Sequence, residues 1–172
     1  MKLNKVLSVI IFYTILFWQF GCMAQKKMDL AKVKFTENIS DFVNGVQNVQ
    51  QGTLGGKKDM ISYGFNNDGR FTFATLAPKY LELISWKGKL VGFALKMKSF
   101  TDQQKIETYF KNTYKKSTIH SSKFITVYTY NDEQVSAELR LVSEEKYKEG
   151  ANGYLDIKRI DFAKEFLQMT KR

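Results

Sequence analysis

The chain has 172 residues, with 27 basic and 17 acidic side chains, a formal charge of +10, 44% hydrophobic and 15% aromatic residues. That composition excludes a disordered or low-complexity chain and is enough for one domain with its own core. The single cysteine, Cys22, and the single histidine, His120, exclude an internal disulfide and the usual Cys/His zinc site, so neither a metal nor a cofactor is expected.

Lys2 and Lys5 precede Val6–Phe20, a run of fifteen mostly apolar residues. Such a run is short for a membrane-crossing helix and suits the apolar core of an export signal. Gly21-Cys22 resembles the end of a bacterial lipobox, in which the cysteine is lipidated and becomes the mature N-terminus. Gln19 and Phe20 stand where that motif has Leu and a small residue. On this resemblance the chain is a bacterial lipoprotein precursor, with residues 1–21 removed and the membrane held through Cys22. Cleavage after Ala24, with Cys22 and Ala24 as the small residues of the cleavage site, fits as well and makes residues 1–24 the signal. An uncleaved anchor is a third route. Each route carries the domain out of the cytoplasm, to the periplasm or to a membrane anchor in the bacterial cell envelope.

Residues 25–37 are polar and basic and are expected to form a tether ahead of a single domain over 38–172. Ile39, Phe42, Val43, Val46 and Val49 fall on one helical face, with Asn38 as N-cap. Gln51–Lys58 carries Gly52, Gly55 and Gly56 and is expected to be a loop. The strand and helix that a phosphate-binding loop needs around it are missing. Met60–Phe65 and Phe71–Leu76 are expected as strands of a hairpin turning at Asn66–Gly69.

Tyr80–Lys98 is the clearest stretch. Two β-rich runs flank a turn at Lys87-Gly88. In the second run Val91, Phe93, Leu95 and Met97 alternate with Gly92, Ala94, Lys96 and Lys98. Pairing Trp86 with Lys89 sets Ile84 opposite Val91 and Tyr80 opposite Leu95. A helix follows, with a capping box at Thr101 and Gln104 and a stripe of Ile106, Tyr109, Phe110 and Thr113. Lys115–Ser122, with His120, is expected as a loop. Phe124–Tyr130, Val135–Val142 and Tyr154–Ile160 are expected strands. Ser143–Gly153 is a charged loop or short helix. Asp161 opens a last helix with Phe162, Phe166 and Met169 on one face. The pattern predicts an α+β fold: a mainly antiparallel sheet built of hairpins, with two or three helices packed on one face. Two halves, each of hairpins then a helix, can be traced, without residue-level repetition.

No set of residues spells out a catalytic site. His120 has Ser121 and Ser122 beside it, but neighbours in one loop do not make a nucleophile and base pair. Of the carboxylates, Glu82 shares a face with Ile84 and Trp86, while Glu107, Glu138 and Asp156 show no spacing that unites two of them. Without residues 1–24 the chain keeps 25 basic and 17 acidic side chains, a net +8. Its basic residues are mostly lysine, with arginine only at Arg70, Arg140, Arg159 and Arg172; a nucleic-acid partner is therefore not expected. Lys96 and Lys98 project from the side of the hairpin away from Phe93. With Lys115 and Lys116 they could form one positive surface for an acidic protein or an anionic envelope component. Tyr128 and Tyr130, on one strand face, are candidates for stacking. The reading is a non-catalytic envelope binding module, of the inhibitor or immunity kind. A small hydrolase working through carboxylates or lysine in a cleft is the alternative.

Overall fold

The computed structural model describes residues 27–170. The export segment, Cys22 and both cleavage sites lie outside the described residues. In chain order the elements are β1 (Met28–Asp29), a 3-10 turn over Leu30–Lys32, α1 (Ser40–Val43), β2 (Gln50–Leu54), β3 (Lys57–Asn66), β4 (Phe71–Thr72), β5 (Tyr80–Trp86) and β6 (Lys89–Lys96). Then come α2 (Phe100–Thr113), β7 (Thr118–Ser121), β8 (Ile125–Asn131), β9 (Val135–Val142), α3 (Glu144–Lys148), β10 (Tyr154–Arg159) and α4 (Ile160–Thr170).

Eight strands form one antiparallel sheet in the order β2-β3-β5-β6-β10-β9-β8-β7. The fold is α+β with a large antiparallel sheet, as the run of hairpins predicts. Each half is a four-stranded meander followed by a helix, and the halves join where β6 pairs with β10. The halves repeat the order of elements but not the side. α2 packs on the second half, with Phe110 against Tyr128. α4 packs on the other face of the first half, with Phe162 against Trp86.

Period-two alternation sorts the strands onto two faces. On the first, Leu81, Leu83, Phe93, Leu95, Leu139, Leu155 and Ile157 are buried together with Ile106 and Phe110 of α2. Leu30, Phe35, Ile39 and Phe42 from the start of the described chain complete this core. Burying each of these side chains is worth about 1.5–3 kcal/mol. The opposite face is covered at one corner only, where Phe162, Phe166 and Met169 of α4 meet Met60, Ile84, Trp86 and Val91.

Several local expectations are corrected. The stretch taken as a basic tether is part of the domain from Met28 onward. β1 pairs in parallel with β4, and Leu30 and Phe35 are 1% and 6% exposed. Its lysines hid two apolar side chains that reach the core, Leu30 and Phe35. The helix expected over 39–49 is a single turn, because the chain leaves it at Asn44 and Gly45 turns at φ +72°. Asn38 does not cap it; its side chain accepts from Lys89 Nζ at 2.8 Å. The glycine-rich stretch is not a loop but strand β2 and a tight turn at Gly55-Gly56 into a longer β3.

Asn66–Gly69 does not close a hairpin: β3 pairs with β5, and 67–79 is an excursion over the covered face. Asn67 holds its neck, donating from Nδ2 to the carbonyls of Phe71 and Pro78 and accepting from the amides of Gly69 and Phe71. The N-cap of α2 is Ser99, whose hydroxyl accepts from the Asp102 amide at 3.1 Å, not Thr101. His120 lies on edge strand β7 rather than in a loop.

The central hairpin turns at Lys87-Gly88 with Trp86 opposite Lys89, as predicted, but a bulge follows. Ser85 faces Leu90 and Ile84 faces Gly92, so Val91 is an extra residue. Val91 therefore joins the corner under α4, while Phe93, Leu95 and Met97 enter the main core. The bulge also makes Leu81, not Tyr80, the partner of Leu95, and sets Tyr80 opposite Lys96.

Candidate functional site on the open sheet face

The bulge decides what the uncovered face presents. Beyond the corner held by α4, two rows of directly paired residues cross its middle. One is Glu82–Ala94–Asp156–Glu138, the other Tyr80–Lys96–Tyr154–Arg140, contributed by β5, β6, β10 and β9. They border an open groove of about 250 Å³ lined by Tyr80, Glu82, Ala94, Lys96, Tyr154 and Asp156. Ala94 is its floor, since a longer side chain there would fill the space between Glu82 and Asp156.

Neighbouring strands shape the walls. The Tyr80 ring lies out across β3, which is possible only because Gly64 has no Cβ; one there would collide with the Tyr80 hydroxyl. Lys96 Nζ sits over that ring, 5.3 Å from its centroid. On the other side Tyr154 donates its hydroxyl to Glu138 Oε1 at 2.7 Å. The Arg140 guanidinium stacks 5.4 Å from the Tyr154 ring centroid.

The charges differ in how they are answered. Asp156 is paired with Lys158 two residues along the same strand face. Burial nonetheless pushes the Asp156 carboxyl up from the ordinary value, against the pull of Lys158, and Glu138 and Glu82 push the same way. Tyr154 is also pushed up, by burial first and then by its bond to Glu138. Burial, with Glu82 beside it, raises Tyr80. Glu82 itself forms no hydrogen bond and no ion pair with any described residue, and neither does Lys96. Two opposite charges thus border one groove without an opposite charge or a hydrogen bond to answer them, Lys96 meeting only the Tyr80 ring.

Of the residues singled out from sequence, Lys96 borders this groove and Lys98 is exposed just past the end of β6. Lys115 and Lys116 are exposed but follow α2 on the covered side, a helix of 14 residues and so roughly 20 Å long. Lys96 and Lys98 thus precede α2 and Lys115 and Lys116 follow it, so the length of the helix stands between the two pairs. Tyr128 is 4% exposed beneath α2. It donates to Glu107 Oε1 at 2.6 Å, so it is a core residue and not a stacking platform. Tyr130 is half-buried, packs on Tyr114 with centroids 4.9 Å apart and donates to Asp132 at 2.9 Å. Burial pushes the Tyr114 hydroxyl up to about 12.

Glu107 also accepts from Lys111 at 2.7 Å; burial pushes its carboxyl up, but these two bonds outweigh that and hold it below the usual range. His120 makes no catalytic pair with its neighbours. The Ser121 hydroxyl bonds Thr126, and that of Ser122 bonds the Ile125 carbonyl. Among the described residues no group of His, Cys, Asp or Glu is arranged to hold a metal ion, and no helix is long and apolar enough to cross a membrane.

Sequence reasoning reached Glu82, Asp156 and Lys96 separately but not the groove. The missing signal was the pairing of β6 with β10, which places Asp156 across Ala94 from Glu82. Comparison with family models, with curated proteins and with solved structures finds no match.

Proposed function

We propose that this chain is an exported, non-catalytic binding module of the cell envelope, and that the open sheet face around Ala94 is its recognition surface. The observation that supports this reading is the uncovered middle of the sheet. Two rows of charged and aromatic side chains border a groove there, while the two buried apolar clusters lie on the covered face and under α4. Buried cores are covered by their own helices; a polar, aromatic-walled face left open is the arrangement of a binding surface. Lys96 and Lys98 edge this face and steer an acidic protein or an anionic envelope component toward it. Maturation at Cys22 or after Ala24 then leaves the module in the periplasm or anchored to the membrane.

The test is capture of a partner from the native envelope by the wild-type protein, by Ala94→Arg, and by Lys96→Glu with Lys98→Glu. Ala94→Arg fills the groove and should abolish capture. The lysine replacements should slow association at low salt and lose that effect at moderate salt, where screening acts beyond roughly 8 Å. A partner held equally by all three proteins refutes the reading.

A carboxylate hydrolase is the second reading, favoured by Asp156. Its carboxyl is pushed toward the protonated form that a general acid needs, with Glu138 as its direct neighbour on β9. Turnover of an isolated envelope glycan or peptide by the wild type, lost in Asp156→Asn, would decide for it.

A further inference from the structure

We propose that the groove takes a small zwitterion, a free amino acid or a short peptide, with its ammonium on Glu82 and its carboxylate on Lys96. This rests on the reading of the open face as the recognition surface and names the class of ligand.

The argument starts from which charges are already answered. Asp156 has Lys158. Glu138 has the Tyr154 hydroxyl, with Arg140 at 4.0 Å. Among the residues that line the groove, Glu82 and Lys96 are what is left over; Arg140, whose Nε has no hydrogen-bond partner, lies outside it against the Tyr154 ring. They are diagonal neighbours across β5 and β6, because Glu82 faces Ala94 and Lys96 lies two residues on. Cross-strand diagonals are roughly 7–8 Å apart, within reach of each other for two long side chains. They do not pair, because Lys96 is drawn over the Tyr80 ring. Tyr80 in turn lies outward over Gly64. The groove between them stays open.

The balance of charge then selects the ligand. The two rows together with Lys158 hold three carboxylates, Glu82, Asp156 and Glu138, and three cations, Lys96, Arg140 and Lys158. A simple cation would gain Glu82 but face Lys96. A simple anion would gain Lys96 but face Glu82 and Asp156. A molecule carrying both charges satisfies both groups at once, through charge-assisted hydrogen bonds in a partly desolvated site. The floor at Ala94 and the walls of Tyr80 and Tyr154 leave room for a small apolar body between the two ends.

The experiment is calorimetric titration of the purified protein with alanine, trialanine, N-acetyl-trialanine and trialanine amide. The acetyl cap removes the ammonium and the amide removes the carboxylate. Trialanine should bind, and each cap should weaken it by roughly tenfold or more, the effect of one charged hydrogen bond. In Glu82→Gln the acetyl penalty should vanish while the amide penalty stays; in Lys96→Met the reverse should hold. Alanine binding as tightly as trialanine identifies a free amino acid as the ligand, and binding of trialanine alone identifies a peptide. Absence of heat with both uncapped probes, or cap penalties unchanged in both variants, overturns the proposal. If Ala94→Arg still abolishes envelope capture in that case, the recognition surface stands and only the ligand class falls. If capture survives Ala94→Arg, the surface itself is wrong.

Discussion

On the covered face of the sheet, one row of paired residues reads Leu81–Leu95–Leu155–Leu139, and every member is 1% exposed or less. One residue along each strand, the open face reads Glu82–Ala94–Asp156–Glu138. The same four strands, shifted by one position, make a dry core and a charged groove. The difference teaches that stability and recognition are separated by the pleat: side chains that hold the fold point one way, and those free to meet a ligand point the other. Substitutions should therefore fall into two classes according to face, and each experiment below can break that division.

The largest effect belongs to Phe93. It is 1% exposed and packs against Phe35 and Phe73 with ring centroids 6.0 and 5.9 Å away. Phe93→Ala should cost about 3–5 kcal/mol, read as a lowered midpoint in chemical denaturation. An unchanged midpoint would mean that the covered face is not the core.

Gln103 comes next and sharpens the comparison, because it is a polar residue on the covered side. It is 3% exposed. Its amide donates to the Val142 carbonyl at 2.7 Å and accepts from the Val142 amide at 3.1 Å, tying α2 to the end of β9. Gly153 leaves the space it occupies. Gln103→Leu strands both backbone groups and should cost about 1–3 kcal/mol. A loss below about 0.5 kcal/mol would show that water replaces the side chain and that this end of the helix is wet.

How much of this division was legible beforehand depends on whether it was local. Alternation in Val135–Val142 and the turn at Lys87-Gly88 placed those strands directly, since both signals lie within a few residues. The bulge at Val91 was not legible: two apolar residues in succession, Leu90 and Val91, fit a regular strand until the partner strand fixes the register. Glu82 and Asp156 are 74 positions apart in the chain, and only the pairing of β6 with β10 unites them. The first described residues were misjudged because lysine density masked Leu30, Phe35 and the strand pairing of Met28. Charge reports what the surface of a segment does, not whether its other side is buried.

Asp156 stands between the two classes, on the open face yet largely desolvated. Its native carboxyl is held above the ordinary value, chiefly by burial. The native state therefore keeps this proton at pH values where the unfolded chain has released it. That contribution to stability is fully present below the ordinary Asp value of about 3.9, and is lost as pH rises through the native value. Asp156→Asn cannot titrate. The difference in unfolding free energy between wild type and Asp156→Asn should move in favour of the variant as pH rises across that window. Parallel curves would mean that Lys158 cancels the burial and that the groove is better solvated than its geometry implies.

The smallest effects belong to Glu82 and Lys96, and their smallness is the sharpest test of the comparison. Neither makes a hydrogen bond or an ion pair with any described residue, so truncating either leaves no buried group unsatisfied. Lys96 gives up only its position over the Tyr80 ring, a contact worth about 0.5–1 kcal/mol at an exposed site. Glu82→Gln should stay within about 0.5 kcal/mol of wild type, and Lys96→Met, which retains the aliphatic stem and loses only the contact with the ring, should lose less than about 1 kcal/mol. Denaturation midpoints measure this directly. A loss of a full kcal/mol or more in either variant would place these side chains in the framework of the fold, and the open face would then owe its charges to stability rather than to a ligand. A gain in stability in Glu82→Gln would point the other way. It would show that Glu82 and Asp156 repel across Ala94 in the free protein, a strain that a bound ammonium would relieve.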